Sequence, residues 1–88
     1  MNIRIDKSFE KDAKKIKDKK VLAQLADVIE HTQAAGNITE IKNIKKLKGA
    51  DSYFRIRLGD FRVGVSIEGD TIDFIRFLPR KDVYKYFP

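Results

Sequence analysis

From Tyr53 onward the apolar residues recur every second position, on both sides of a Gly-Asp pair. Tyr53-Phe54-Arg55-Ile56-Arg57-Leu58 puts Phe54, Ile56 and Leu58 on one face of a strand, and Tyr53, Arg55 and Arg57 on the other. Gly59-Asp60 is the two-residue signal of a tight hairpin. The return strand sets Phe61, Val63, Val65 and Ile67 on its apolar face. With Leu58 opposite Phe61, the remaining pairs are Arg57–Arg62, Ile56–Val63, Arg55–Gly64, Phe54–Val65 and Tyr53–Ser66. A slip of one residue would turn every side chain to the wrong face, so this segment constrains the fold more than any other.

That register has a chemical consequence. Leu58–Phe61, Ile56–Val63 and Phe54–Val65 are good cross-strand apolar pairs. On the opposite face Arg57 stands directly across from Arg62, an arrangement that destabilises a sheet. Arg55 faces Gly64, which is expected to leave open backbone beside a cation. Three guanidiniums on one small face with no acid among them suit an anion such as a phosphate.

The rest of the chain reads as a scaffold for this hairpin. Residues 2–6 alternate as a short strand. Ser8 is expected to cap a helix beginning near Phe9, with Phe9, Ala13 and Ile16 as its apolar stripe. A charged break at residues 17–20 precedes a second helix with Val21, Leu22, Leu25, Val28, Ile29 and Thr32 on one face. Gly36-Asn37 is expected to stop it. Residues 39–41 suit a helical turn, residues 43–47 a strand, and residues 48–51 a turn. Gly69-Asp70 makes a second hairpin turn, and residues 71–78 form an interior strand that Pro79 ends. Residues 80–88 are left as a tail. The fold class is α+β, order β-α-α-β-β-β-β, with two helices on one face of a small, mainly antiparallel sheet. With 88 residues, a single domain spanning 1–88 is expected.

Charge and composition narrow the function classes. The net charge is +6, from 19 Lys and Arg against 13 Asp and Glu. Eleven of the 13 Lys lie in residues 1–50, whereas five of the six Arg lie beyond them. Lysines coat the helical half, and arginines, whose planar forks suit phosphate, mark the strand half. The chain has no Cys, which excludes thiolate nucleophiles and thiolate metal sites. Its one His, His31, reads as a surface residue near the polar end of the second helix. No carboxylate cluster has metal spacing and no glycine-rich phosphate loop occurs, so no cofactor and no metal are expected. No apolar run approaches the ~20 residues of a membrane helix, and the first residues lack a signal-peptide core. A cytoplasmic protein with no membrane partner is expected.

Residues 80–88 add Arg80, Lys81, Tyr84 and Tyr86, and aromatics beside cations suit stacking on bases. Three segments carry a family resemblance: KKLKG at Lys45–Gly49, YFRIRLGDFRV at Tyr53–Val63, and PRKDVYKYF at Pro79–Phe87. In this order, behind two helices, they resemble the RelE/ParE superfamily of toxins from type II toxin–antitoxin modules, nearest the RelE branch. The resemblance implies a ribosome-dependent endoribonuclease that enters the A site and cuts mRNA through attack by the 2′-OH. It implies an acidic antitoxin, the ribosome and mRNA as partners. Carried over, the family's catalytic positions fall on Arg55, Arg57, Arg62, Arg80 and Tyr84; of these, Arg57, Arg62, Arg80 and Tyr84 are expected to be catalytic, and Arg55 joins Arg76, Lys81 and Tyr86 as expected RNA contacts. Which of Tyr84 and Tyr86 takes part in catalysis stays open. Arg stands at 55 and 57 where some RelE members carry Lys, which suits fixed charge better than proton transfer. Pro79 stands where many relatives carry His. The superfamily also holds ParE-like gyrase inhibitors without RNase activity, and an inactive RNA-binding homologue is a further alternative.

Overall fold

The fold was read from a computed structural model, and the residues described are 1–47, 49 and 52–88. Five strands form one sheet: β1 (Asn2–Ile5), β2 (Ile44–Lys46), β3 (Tyr53–Leu58), β4 (Phe61–Glu68) and β5 (Thr71–Pro79). Their spatial order is β1-β5-β4-β3-β2, with β1 parallel to β5 and every other pair antiparallel. Helices α1 (Lys7–Lys14) and α2 (Lys19–Ala34) come between β1 and β2, followed by a 3-10 turn at Ile38–Glu40. The expected α+β class and element order are therefore observed.

The hairpin register is the one the alternation dictates, with all six pairs from Tyr53–Ser66 to Leu58–Phe61 in place. Gly59 and Gly69 adopt φ of 56° and 59°, the left-handed backbone these tight turns need. Phe9 of α1 and Leu25 of α2 pack with Ile56, Leu58, Val63, Val65, Ile72, Phe74 and Phe77 of the sheet. Phe9 meets Phe74 edge-on at 5.6 Å, and Phe61 stacks on Phe77 at 5.0 Å. Val63, Val65, Ile72 and Phe74 are fully buried, each contributing about 1.5–3 kcal/mol relative to exposure. No helix is long and apolar enough to cross a membrane.

Three expectations need correction. The last residues are not a loose tail: Arg80–Tyr86 form a third helix, α3. Pro79 fits its cap position because a fixed φ and a missing N–H cost nothing there. Val83 and Phe87 lie four apart and bury against Leu47 and Leu78, making a second small core on the sheet face away from α1 and α2. Ser8 does not cap α1, because the helix starts one residue before it, after Asp6. At the end of α2 the chain straightens at Ala35 (φ −68°, ψ 139°), and Asn37 instead caps the 3-10 turn by accepting from Thr39 N at 2.9 Å. Of the turn expected at 48–51, Lys48, Ala50 and Asp51 lie outside the described residues, and Gly49 has φ 71°.

Ser8 has a different task. β1 pairs with β5 only as far as Phe74, so the remainder of β5 has an open edge. α1 lies along it. Ser8 Oγ donates to Ile75 O at 2.6 Å, and Asp12, one turn on, accepts from Phe77 N at 2.9 Å. Two helix side chains thus satisfy backbone groups that a neighbouring strand would otherwise bind. Ile75 is the extra residue of a bulge, since Gly64 pairs with Arg76 but Val65 pairs with Phe74.

Candidate anion site on the sheet

Arg57 of β3 and Arg62 of β4 face each other directly. Arg62 is 8% exposed, and its Nη1 donates to Gly59 O and Phe61 O, both at 2.8 Å, which fixes it over the hairpin turn. Its pKa is pushed below the usual guanidinium range, first by burial and then by Arg55 and Arg80. Tyr84 acts in the opposite direction, and Arg57 adds a last, smaller lowering. So Arg55, Arg57, Arg62, Arg80 and Tyr84 share one electrostatic neighbourhood. Among the described residues, the ion pairs are Arg4–Asp73 and Arg76–Asp12, and neither involves these four arginines. Arg55 Nε is buried without a hydrogen-bond partner. A cluster of this kind costs stability and is complementary to a polyanion.

α3 supplies the rim. Arg80 is its first residue, and Arg80 N donates to Asp60 O at 2.8 Å, tying the helix start to the hairpin turn. Asp60, Pro79, Arg80, Lys81 and Tyr84 line a shallow hollow of about 450 Å³ beside the cluster. Tyr84 is 65% exposed at this hollow.

Not every expected residue joins. Arg76 is held at the β5 edge by Asp12, with Nε donating at 2.7 Å and Nη2 at 3.3 Å. That hydrogen bonding outweighs burial and raises its pKa. Tyr86 lines a separate groove with Asp12, Arg76 and Asp82 between α1 and α3, so it stands apart from Tyr84. Gly64 does not leave open backbone, because the ring of Phe87 occupies the space its side chain would take. Two neighbours were not anticipated. Lys45 of β2 stands opposite Arg55, a second like-charge pair whose signal was the strand expected at residues 43–47. Asn43 contacts both Arg55 and Arg57.

Comparison with known proteins places this architecture. The family described as the ParE toxin of the type II toxin–antitoxin system, parDE, matches residues 3–84. The chain belongs to the RelE/ParE superfamily of type II toxin–antitoxin toxins and is RelE-like within it. It is 39% identical over 89 aligned residues to Toxin RelE3 of Methanocaldococcus jannaschii, covering 100% of both chains. A solved RelB–RelE antitoxin–toxin complex from Methanococcus jannaschii holds a chain with TM-score 0.80 and 38% identity, over 97% of this chain and 99% of that one. The YoeB dimer of Staphylococcus aureus shares the fold at TM-score 0.72 and 20% identity, over 89% and 94% of the two chains.

Proposed function

We propose that this toxin is a metal-independent endoribonuclease that cuts mRNA in the ribosomal A site. The observation that carries the reading is the group of Arg55, Arg57, Arg62 and Arg80 beside an exposed Tyr84, with no carboxylate ion-paired to them among the described residues. RNA brings its own nucleophile. The 2′-oxygen bonds to the adjacent phosphorus, the bond from phosphorus to the 5′-oxygen breaks, and a cyclic phosphate and a 5′-hydroxyl result. Tyr84 Oη takes the proton of the 2′-OH while passing its own to a water, and that water protonates the departing 5′-oxygen. Arg57, Arg62 and Arg80 stabilise the charge that gathers on the phosphate oxygens, the kind of fixed electrostatic contribution that often dominates catalysis. Arg55 and Lys81 hold flanking phosphates. The ribosome positions the codon, which leaves a small protein with few groups to provide.

The neutralising partner is an acidic antitoxin protein that covers the arginine face. The RelB–RelE antitoxin–toxin complex of the Methanococcus relative supports an antitoxin protein as the partner.

The test is primer extension on translated mRNA after induction, comparing the wild type with Arg57→Ala and Tyr84→Phe. Both side chains are exposed, so their loss reports on chemistry more than on folding. Cuts that depend on both residues support the reading. Growth arrest with intact mRNA overturns it. The family description names ParE, which favours one second reading: inhibition of DNA gyrase without RNase activity. Loss of gyrase supercoiling with purified protein would identify that case.

A further inference from the structure

We infer that Asn43 is a positioning residue that orients Arg55 and Arg57 for RNA, a role that rests on the endoribonuclease reading above. Asn43 is the one non-glycine residue with positive φ among those described, at 64°. Asparagine tolerates that conformation better than most residues, but glycine adopts it more readily still. What glycine lacks is the side-chain amide, and here that amide is used.

Asn43 precedes β2 and touches the arginine strand at three points. Its carbonyl accepts from Arg57 N at 3.1 Å, which locks the backbone of the two segments together. The same carbonyl accepts from Arg55 Nη1 at 3.5 Å. Its Oδ1 accepts from Arg57 Nη2 at 3.4 Å. One neutral residue therefore supplies acceptors to two cations that have no carboxylate partner among the described residues. A carboxylate in this place would neutralise the charge that RNA is to meet. An amide orients the guanidinium and leaves its charge free. The left-handed backbone turns both oxygens of Asn43 toward β3, so strain and positioning share a cause.

Three variants separate positioning from turn-making, measured for thermal stability and for cleavage with translating ribosomes. Asn43→Gly keeps the backbone conformation and removes Oδ1. It should melt at or above the wild-type temperature, yet its kcat should fall roughly ten- to a hundredfold, the scale on which misplacing a charged group acts. Asn43→Asp keeps an acceptor at the same place and adds a charge. That charge opposes the two cations, so kcat should fall and KM rise, and, unlike in Asn43→Gly, the salt dependence of RNA binding should become shallower. Asn43→Ala should lose both stability and cleavage. Binding of a short single-stranded RNA is measured in parallel. In Asn43→Gly it should weaken with an unchanged salt slope, because no charge has been removed. Wild-type cleavage and RNA binding by Asn43→Gly would overturn the inference, leaving Asn43 as a turn residue only. A wild type that makes no cuts would overturn the endoribonuclease reading instead, and the RNA-binding comparison would still decide the role of Asn43.

Discussion

The ring of Phe87 fills the space a side chain at Gly64 would need: a Cβ placed there would meet three ring carbons at 2.7–2.9 Å. Phe87 is buried, and Tyr53 packs edge-on against it at 5.6 Å. Gly64 therefore has a packing purpose. It lets α3 lie close enough to the sheet for Val83 and Phe87 to be buried, which brings Arg80 and Tyr84 to the arginines. Gly64→Ala should push Phe87 away and destabilise the fold by about 1–3 kcal/mol, the usual cost of overpacking a tight core. Urea denaturation measures it. Adding Phe87→Leu to Gly64→Ala should recover part of the loss, because the smaller side chain frees the contested space. No recovery in the double variant would mean the two residues are not coupled.

The facing pair Arg57–Arg62 should make the fold less stable than it need be. Arg57→Glu would set an acid opposite the buried Arg62 and relieve repulsion from three other cations. It should stabilise the protein by about 0.5–1 kcal/mol, as cross-strand charge reversal does elsewhere. Cleavage should fall sharply at the same time. A higher melting temperature joined to lost activity is the signature of a site kept at the expense of stability. A lower melting temperature would contradict this account of the pair.

Asp12 stands at the opposite extreme, with a role in the fold alone. Its side chain is 5% exposed and accepts three hydrogen bonds, from Arg76 Nε, Arg76 Nη2 and Phe77 N. Arg76→Ala would leave the carboxylate buried with only the backbone N–H. The expected loss is about 2–4 kcal/mol, near the lower end for breaking a buried pair because Arg76 is partly exposed. Chemical denaturation of Arg76→Ala, of Asp12→Ala and of the double variant tests it. The double variant should lose less than the two single losses added together, since each removes the same interaction.

What could be read from the sequence follows from how local each signal is. The hairpin was legible to the residue because Gly59-Asp60 and the flanking alternation lie within 14 positions. Arg57–Arg62 followed from that register without any tertiary knowledge. α3 was missed because Pro79 ends a strand and caps a helix equally well, and a seven-residue helix has only Val83, with Phe87 just past its end, to mark its apolar side. The fate of Arg76 was out of reach, since it depends on β1 stopping at Ile5 and leaving the β5 edge for α1 to cover. Gly64 was legible as a missing side chain, but what fills the gap comes from residue 87, at the far end of the chain.

Tyr84 stands clear of the core. Its side chain is largely exposed, and the small core beneath α3 is built from Val83 and Phe87. Removing the hydroxyl should leave the melting temperature of Tyr84→Phe within about three degrees of wild type, as surface changes of this size usually do. If Tyr84 Oη exchanges the 2′-OH proton, the cleavage rate should fall by about 10²–10⁴-fold, the range for losing a general acid–base group. If the ring only stacks on a base, Tyr84→Phe should cleave nearly as well as wild type and Tyr84→Ala should not. Tyr86→Phe serves as the control on the same helix, facing the groove that Asp12 and Arg76 line. Its cleavage should match wild type. A loss at Tyr86 with none at Tyr84 would move the chemistry from the hollow beside Arg80 to the groove between α1 and α3.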